Sequence, residues 1–140
     1  MDATPAVRRR LGACAALLAL AGAAGTARAD DLYVVCSPGV TLDAADVKNV
    51  FLGEKGFAGA VKLAPADNSA QQAAFLGRVL KLDASKYAGI WTKKSFRDGA
   101  NPPPVKASDA EALAYVKQTP GGCSYVGAAP PAGVTVVGKF

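Results

Sequence analysis

The chain has 140 residues, 51% of them hydrophobic, with no His and three Cys, and its 16 Lys and Arg residues against 11 Asp and Glu residues give a net charge of +5. This length fits one small domain with a modest core. Segment 1–29 holds four of the basic residues and one of the acidic ones, so the remaining 111 residues carry 12 basic and 10 acidic side chains, a net charge of +2. The positive charge of the whole chain therefore gives little support to nucleic-acid binding.

Residues 1–29 have the organisation of a secretory signal peptide. Arg8, Arg9 and Arg10 precede an apolar run from Leu11 to Gly25, and Ala27-Arg28-Ala29 has the small-residue pattern of a cleavage site. The run is short and rich in Ala and Gly, which favours a signal over a transmembrane helix. We therefore expect a mature domain of residues 30–140, periplasmic or secreted, without a stable membrane anchor.

Two cysteines remain in this expected mature chain, Cys36 and Cys123, and each lies in a strand-like apolar run. A disulfide is expected in an oxidising compartment, with two buried free thiols as the alternative. Cys14 lies in a fragment that imitates a lipoprotein cleavage box, but the fragment precedes the apolar run instead of ending it, so lipid anchoring is not expected. Without His, two cysteines do not complete a tetrahedral metal site, and no metal or cofactor is expected.

In chain order, the first predicted element is a strand over Leu32–Cys36, closed by Ser37-Pro38-Gly39. A helix capped by Asp43 follows and ends at Gly53, and a short strand over 61–64 stops at Pro65. The next helix opens at Asn68-Ser69, and its helical period places four apolar residues on one face: Phe75, Leu76, Val79 and Leu80.

In the second half, Asp83 is predicted to cap a third helix that ends near Phe96 and carries a stripe of Tyr87, Ile90 and Trp91. The segment 101–104 is rich in proline and is expected to be exposed and extended. Ser108 and Glu111 form a capping box for a fourth helix, and strands follow over 123–126 and 134–137. This alternation predicts the α/β class, a mixed β-sheet flanked by helices on both faces.

Catalysis has little support, because His is absent and the serines have no base partner that spacing reveals, so no enzyme is expected. Lys93, Lys94 and Arg97 form a positive cluster at the end of the third helix, where cations favour the helix dipole, and we interpret the cluster as a solvated face. Asp43, Asp46 and Asp67 lack the spacing of a metal loop and are interpreted as caps and surface residues.

The stretch ADNSAQQAAF, residues 66–75, leaves two interpretations open. Ser69 and the N–H groups of Ala70, Gln71 and Gln72 have the placement of a helix N-terminus after a strand, which suits an oxyanion. An ordinary helix cap has the same pattern and contributes about 1 kcal/mol without any ligand.

A resemblance to a known family is carried by several blocks in the same order: VKNVFLG at 47–53, residues 61–75, Trp91, Phe96, the proline-rich segment and AYVKQTPGGCSYVG at 114–127. Through these blocks, almost the whole expected mature chain resembles the phosphate-binding proteins of ABC uptake systems. These belong to the type 2 periplasmic-binding-protein superfamily. The resemblance implies a single lobe of that fold, phosphate or another small oxyanion as ligand, and an ABC permease or another periplasmic protein as partner.

The resemblance also places the ligand-binding positions at Asp67, Asn68, Ser69, Ala70 and Gln71. In the family an Arg precedes a D-G-S-G-T turn, whereas this chain has Pro65 at the place of the Arg and keeps only Asp67 and Ser69 of the turn. Loss of the guanidinium removes the strongest charge-assisted contact to phosphate. The expected function is therefore weak oxyanion binding, with a protein-interaction module that has lost ligand binding as the alternative and an enzyme ranked last.

Overall fold

A computed structural model of the chain describes residues 31–140. The predicted signal peptide at 1–29 and the expected first mature residue, Asp30, lie outside the described residues. Within residues 31–140, no helix combines the length and the apolar character needed to cross a bilayer.

The described chain contains eight short strands and four α-helices. The strands are β1 (Tyr33–Cys36), β2 (Phe57–Ala58), β3 (Val61–Lys62), β4 (Ala64–Pro65), β5 (Asp67–Asn68), β6 (Val105–Lys106), β7 (Gly122–Val126) and β8 (Thr135–Lys139). The helices are α1 (Val47–Phe51), α2 (Gln72–Phe75), α3 (Ala84–Asp98) and α4 (Asp109–Gln118). A 3₁₀ turn at Ala44–Asp46 leads into α1, and a π-helical turn at Leu76–Leu80 continues α2.

The main sheet has the strand order β4-β7-β1-β8. β4 runs parallel to β7, whereas β7 and β8 are both antiparallel to β1, so the sheet is mixed. The alternation of side chains along β1 sends Val34 and Cys36 into one core and Val35 into another. The core with Val34 includes residues of α1, α2 and α3, and the core with Val35 includes α4. Helices thus cover both faces, as the sequence predicts.

The two central strands are joined by a covalent bond. Cys36 of β1 lies directly opposite Cys123 of β7, with the Cα atoms 4.0 Å apart, and the two form a disulfide that spans 87 residues of sequence. The predicted pairing is present.

Hydrogen bonds also join the two ends of the described chain. At the outer end of β1, the N–H of Leu32 donates to the carbonyl of Phe140 (3.0 Å), and the N–H of Phe140 donates to the carbonyl of Leu32 (2.8 Å).

Local signals place several helix ends correctly. The Asp83 carboxylate accepts the N–H of Lys86 at 2.8 Å at the start of α3, and Ser108 Oγ accepts the N–H of Glu111 at 3.2 Å at the start of α4. The second half of the predicted capping box differs, because the Glu111 carboxylate accepts from the N–H of Ala107 and not from that of the cap residue itself. α3 continues to Asp98, and Gly99 in the left-handed region ends it.

Three predicted segments differ from the structure. The predicted strand at 61–64 is divided, because β3 forms a hairpin with β2 while β4 joins the edge of the main sheet, where the missing N–H of Pro65 is tolerated. α2 begins at Gln72, three residues later than Ser69. In the proline-rich segment, which is predicted to be exposed, Pro103 is buried.

Candidate functional site

The stretch predicted to bind an anion lies where β5 leaves the core. β5 pairs in parallel with β6, so that Asp67 lies opposite Val105 and Asn68 opposite Lys106. The N–H of Asp67 donates to the carbonyl of Pro104 at 2.8 Å. After Asn68 the chain turns outward through residues 69–71, which we call the 69–71 turn, and then enters α2.

Asp67 is buried, with 2% of its surface exposed, so its interpretation as a cap or surface residue is wrong. Its carboxylate accepts hydrogen bonds from two phenols, Tyr87 Oη at 2.8 Å and Tyr125 Oη at 2.9 Å. Burial raises the pKa of the Asp67 carboxyl, and the two tyrosine hydrogen bonds partly oppose that rise. Burial also raises the pKa of both tyrosines, with a further contribution from the neighbouring carboxylate.

Asn68 is fully buried and connects three elements. Its Nδ2 donates to Asp109 Oδ1 in the first turn of α4 (2.7 Å) and to the carbonyl of Tyr125 in β7 (2.9 Å). Its Oδ1 accepts the N–H of Ala70 at 3.1 Å. Asp109 Oδ2 in turn accepts the N–H of Gly127 at 3.0 Å. The polar atoms of the Asn68 side chain are therefore used within the protein, in a role that fixes the turn against α4 and β7.

The backbone donors of the 69–71 turn also have partners within the protein. The N–H of Ser69 donates to the carbonyl of Lys106 (2.8 Å), and the N–H of Gln71 donates to the carbonyl of Asn68 (3.0 Å). With the Ala70 N–H on Asn68 Oδ1, each of the three amides already has an acceptor.

Ser69 is exposed, and its hydroxyl makes one long contact, 3.4 Å to the carbonyl of Ala107. α2 has no side-chain cap at its start, so the prediction that Ser69 caps it is wrong: the turn between β5 and α2 separates the two. The prediction that residues 67–71 bind an oxyanion stays a prediction. The structure brings all five together in sequence order, but it turns Asp67 and Asn68 into the interior and leaves Ser69 and Ala70 at the surface.

Among residues 31–140, Lys106 beside the turn and two members of the predicted basic cluster on α3 contact other groups of the protein. Lys106 is beside the turn through its backbone, while its Nζ lies 4.9 Å from the centre of the Tyr115 ring. In the predicted basic cluster on α3, Lys94 is 3.7 Å from Glu54 and Arg97 is 3.1 Å from Asp98. Lys94 has 12% of its side chain exposed, so the cluster is not uniformly a solvated face.

A groove of about 440 Å³ lies between α3 and the proline-rich segment, and it is not among the sites that the sequence motifs predict. Its wall includes the buried Asp67 together with mostly apolar side chains, among them Leu76, Tyr87, Trp91, Pro103 and Val105. In the sequence, the sign of this groove is a run of small residues on the same helical face as Tyr87 and Trp91, namely Ala84, Ala88 and Ser95. Within residues 31–140 no group of three or more His, Cys, Asp or Glu side chains is placed to hold a metal ion.

The fold defines a small α/β domain with a mixed four-stranded sheet. Among solved structures, the chain is similar to PstS from Borrelia burgdorferi, with a TM-score of 0.52 and 14% sequence identity over 69% of this chain. The match spans 40% of the length of that protein. At this level of identity the likeness concerns the fold alone. No protein-family model matches the sequence, and no curated protein matches it.

Proposed function

We propose that the chain is an extracytoplasmic domain of the solute-binding-protein type that contacts phosphate, or another small oxyanion, only weakly. The observation that supports this proposal is the likeness of its fold to a phosphate-binding protein, together with a surface turn at the positions where the sequence resembles that family's phosphate-binding turn. A binding role is preferred to a catalytic one, because the chain contains no His and its sequence spacing reveals no base partner for a serine.

The expected weakness follows from the surroundings of the turn. The N–H groups of Ser69, Ala70 and Gln71 already donate to protein acceptors, so a phosphate would have to displace those bonds or rely on the Ser69 hydroxyl. The Asp109 carboxylate is held nearby by Asn68 and repels an anion. We therefore expect a dissociation constant nearer millimolar than micromolar, a difference of about 4 kcal/mol in binding free energy.

Phosphate-dependent thermal unfolding tests this proposal. Phosphate is raised from zero to tens of millimolar, against chloride at matched ionic strength, with the exported protein purified in its oxidised form. Phosphate at ten times its dissociation constant would stabilise the protein by about 1.4 kcal/mol. Ser69→Ala should reduce that gain, and Ser85→Ala, which changes an exposed serine on α3, should not. A micromolar isotherm would contradict the weak site.

A second candidate is a protein-interaction module that has lost ligand binding. The use of the Ser69, Ala70 and Gln71 amides within the protein favours it, because an anion at the turn would have to displace an existing hydrogen bond or rely on the Ser69 hydroxyl. In this case phosphate has no effect beyond that of chloride, and the Ser69→Ala variant unfolds like the parent at every phosphate concentration. Its partner would be an ABC permease or another periplasmic protein.

Export is part of both proposals. The signal-like segment 1–29 and the Cys36–Cys123 disulfide both suit an oxidising compartment outside the cytoplasm. Mass spectrometry of the protein recovered from the periplasm of an expression host should give a chain that begins at Asp30. An intact N-terminus would contradict the predicted cleavage.

A further inference from the structure

The groove beside α3 has one charged group in its wall. Asp67 is the charged residue among the side chains that line it within residues 31–140, and the other polar contributors include Gln72, Thr92 and Ser95. A volume of about 440 Å³ falls in the size range of small-molecule sites, which are mostly apolar with a few fixed polar groups. Asp67 and Gln72, on either side of the 69–71 turn, line the groove, but none of residues 69–71 does, so a ligand in the groove does not depend on phosphate binding at Ser69.

Among residues 31–140, no cationic side chain pairs with the buried carboxylate of Asp67. Among the described residues, the groups that contact it are the phenols of Tyr87 from α3 and Tyr125 from β7, and no Lys or Arg forms an ion pair with it. The two phenols use two of the roughly four acceptor sites of a carboxylate. Burial of this charge without a counter-charge is unfavourable. Asp67 would therefore contribute more to the binding free energy of a cation in the groove than an exposed carboxylate would.

The remaining wall suits an apolar body attached to such a cation. Tyr87 and Trp91 line the groove and have only 6% and 7% of their surfaces exposed, and Leu76 and Pro103 add aliphatic contacts. Aromatic side chains attract organic cations as well as apolar groups. An anion, by contrast, would lie near the Asp67 carboxylate, and none of the lining residues within 31–140 is a cation that could balance the repulsion.

We propose that this groove binds a small organic monocation, an ammonium group carried on an aromatic or aliphatic body, with Asp67 as its counter-ion. Asp67 fixes the charge and Tyr87, Trp91 and Val105 contact the apolar part. The two phenols hold the carboxylate in place, so its geometry is established before the ligand arrives.

Trp91 makes the test direct, because it is the chain's single Trp and lines the groove. Phenethylammonium is titrated into the exported, oxidised protein in a chloride buffer without phosphate, and Trp91 fluorescence and saturation-transfer NMR of the ligand are both recorded. Phenethyl alcohol serves as the neutral analogue and 3-phenylpropionate as the anion. We expect the ammonium to bind about tenfold more tightly than the alcohol and the anion not to bind.

Two variants locate the site. Asp67→Asn should remove the preference for the ammonium over the alcohol. Ala88→Leu fills the groove from an exposed position on α3 and should abolish binding, whereas Ser85→Leu, an exposed change outside the groove, should leave it intact. Any of three results would overturn the proposal. These are equal affinity for the ammonium and the alcohol, unchanged binding in Ala88→Leu, and no binding in either readout up to 50 mM ligand, which is on the order of the weakest useful affinity.

Discussion

Asn68 and Ser69 are neighbours in the chain, but their side chains have opposite surroundings. Asn68 is fully buried with three hydrogen bonds, and Ser69 is exposed with one long contact. The sequence predicts the structural role for Ser69, because Ser is a frequent helix cap. It does not predict that role for Asn68, because the partners Asp109 and Tyr125 are distant in sequence.

The two residues should therefore respond differently to truncation. Asn68→Ala leaves a buried carbonyl and a partly buried carboxylate without their donor, and we expect it to lower the free energy of unfolding by about 2–3 kcal/mol. Ser69→Ala should change it by less than about 0.5 kcal/mol. Urea denaturation of both variants measures the difference, and a larger loss in Ser69→Ala would restore the helix-cap interpretation.

Asp67 should make stability depend on pH in a defined direction. Because burial raises the pKa of this carboxyl in the folded protein, the folded state binds its proton more tightly than the unfolded state does. The contribution of Asp67 to stability is therefore fully present below its ordinary pKa of 3.8 and is lost as the pH rises through the higher folded value.

Asp67→Asn isolates this contribution, because an amide can still form hydrogen bonds with both phenols but does not ionise. The difference in melting temperature, wild type minus Asp67→Asn, should become smaller or more negative as the pH is raised from 4 to 8, a range that begins at about the ordinary pKa of an aspartate. A difference that grows with pH would mean that the folded protein stabilises the ionised carboxylate instead.

At the scale of elements, local chemistry predicts the starts of α3 and α4 but neither the start of α2 nor the two-residue strands. Asp83 and Ser108 cap their helices through contacts within three residues, which sequence spacing reveals. β5 and β6 have two residues each and pair across 38 positions, so neither has a periodicity that sequence could show. The groove between α3 and the proline-rich segment depends on the same distant pairing, so the periodicity of the sequence does not predict it either.

The junction between α1 and α3 depends on a glycine. Gly53 has a φ of +72°, and a Cβ atom there would lie 2.8 Å from the Trp91 ring. Gly53→Ala should therefore destabilise the domain by about 1–3 kcal/mol, because it combines left-handed backbone with a clash against a buried side chain. Gly56→Ala is the matched control, since it meets open space, and should remain close to wild type in thermal unfolding. Equal effects at both positions would contradict the contact with Trp91.

At the scale of the whole molecule, the disulfide stabilises the domain mainly by restricting the conformations of the unfolded chain. It closes 87 residues of sequence, and the chain-entropy model gives an upper value of about 4.6 kcal/mol for a loop of this length. The double variant Cys36→Ala with Cys123→Ala should lose up to that amount, as should the reduced wild type. Denaturation with and without reductant measures the loss, and coincident curves would show that the bond adds no stability.

The pairing of Leu32 with Phe140 gives the domain a distinctive response to mechanical force. A force that pulls Leu32 and Phe140 apart acts on one end of the β1–β8 pair and breaks its hydrogen-bonded residue pairs one at a time. This requires far less force than shearing all of the pairs at once. The opening stops at the Cys36–Cys123 bond, because everything between those cysteines is shielded from the load. The oxidised domain can thus lengthen only by the residues outside the bond, roughly 80 Å of extended chain, and a reduced one several times further.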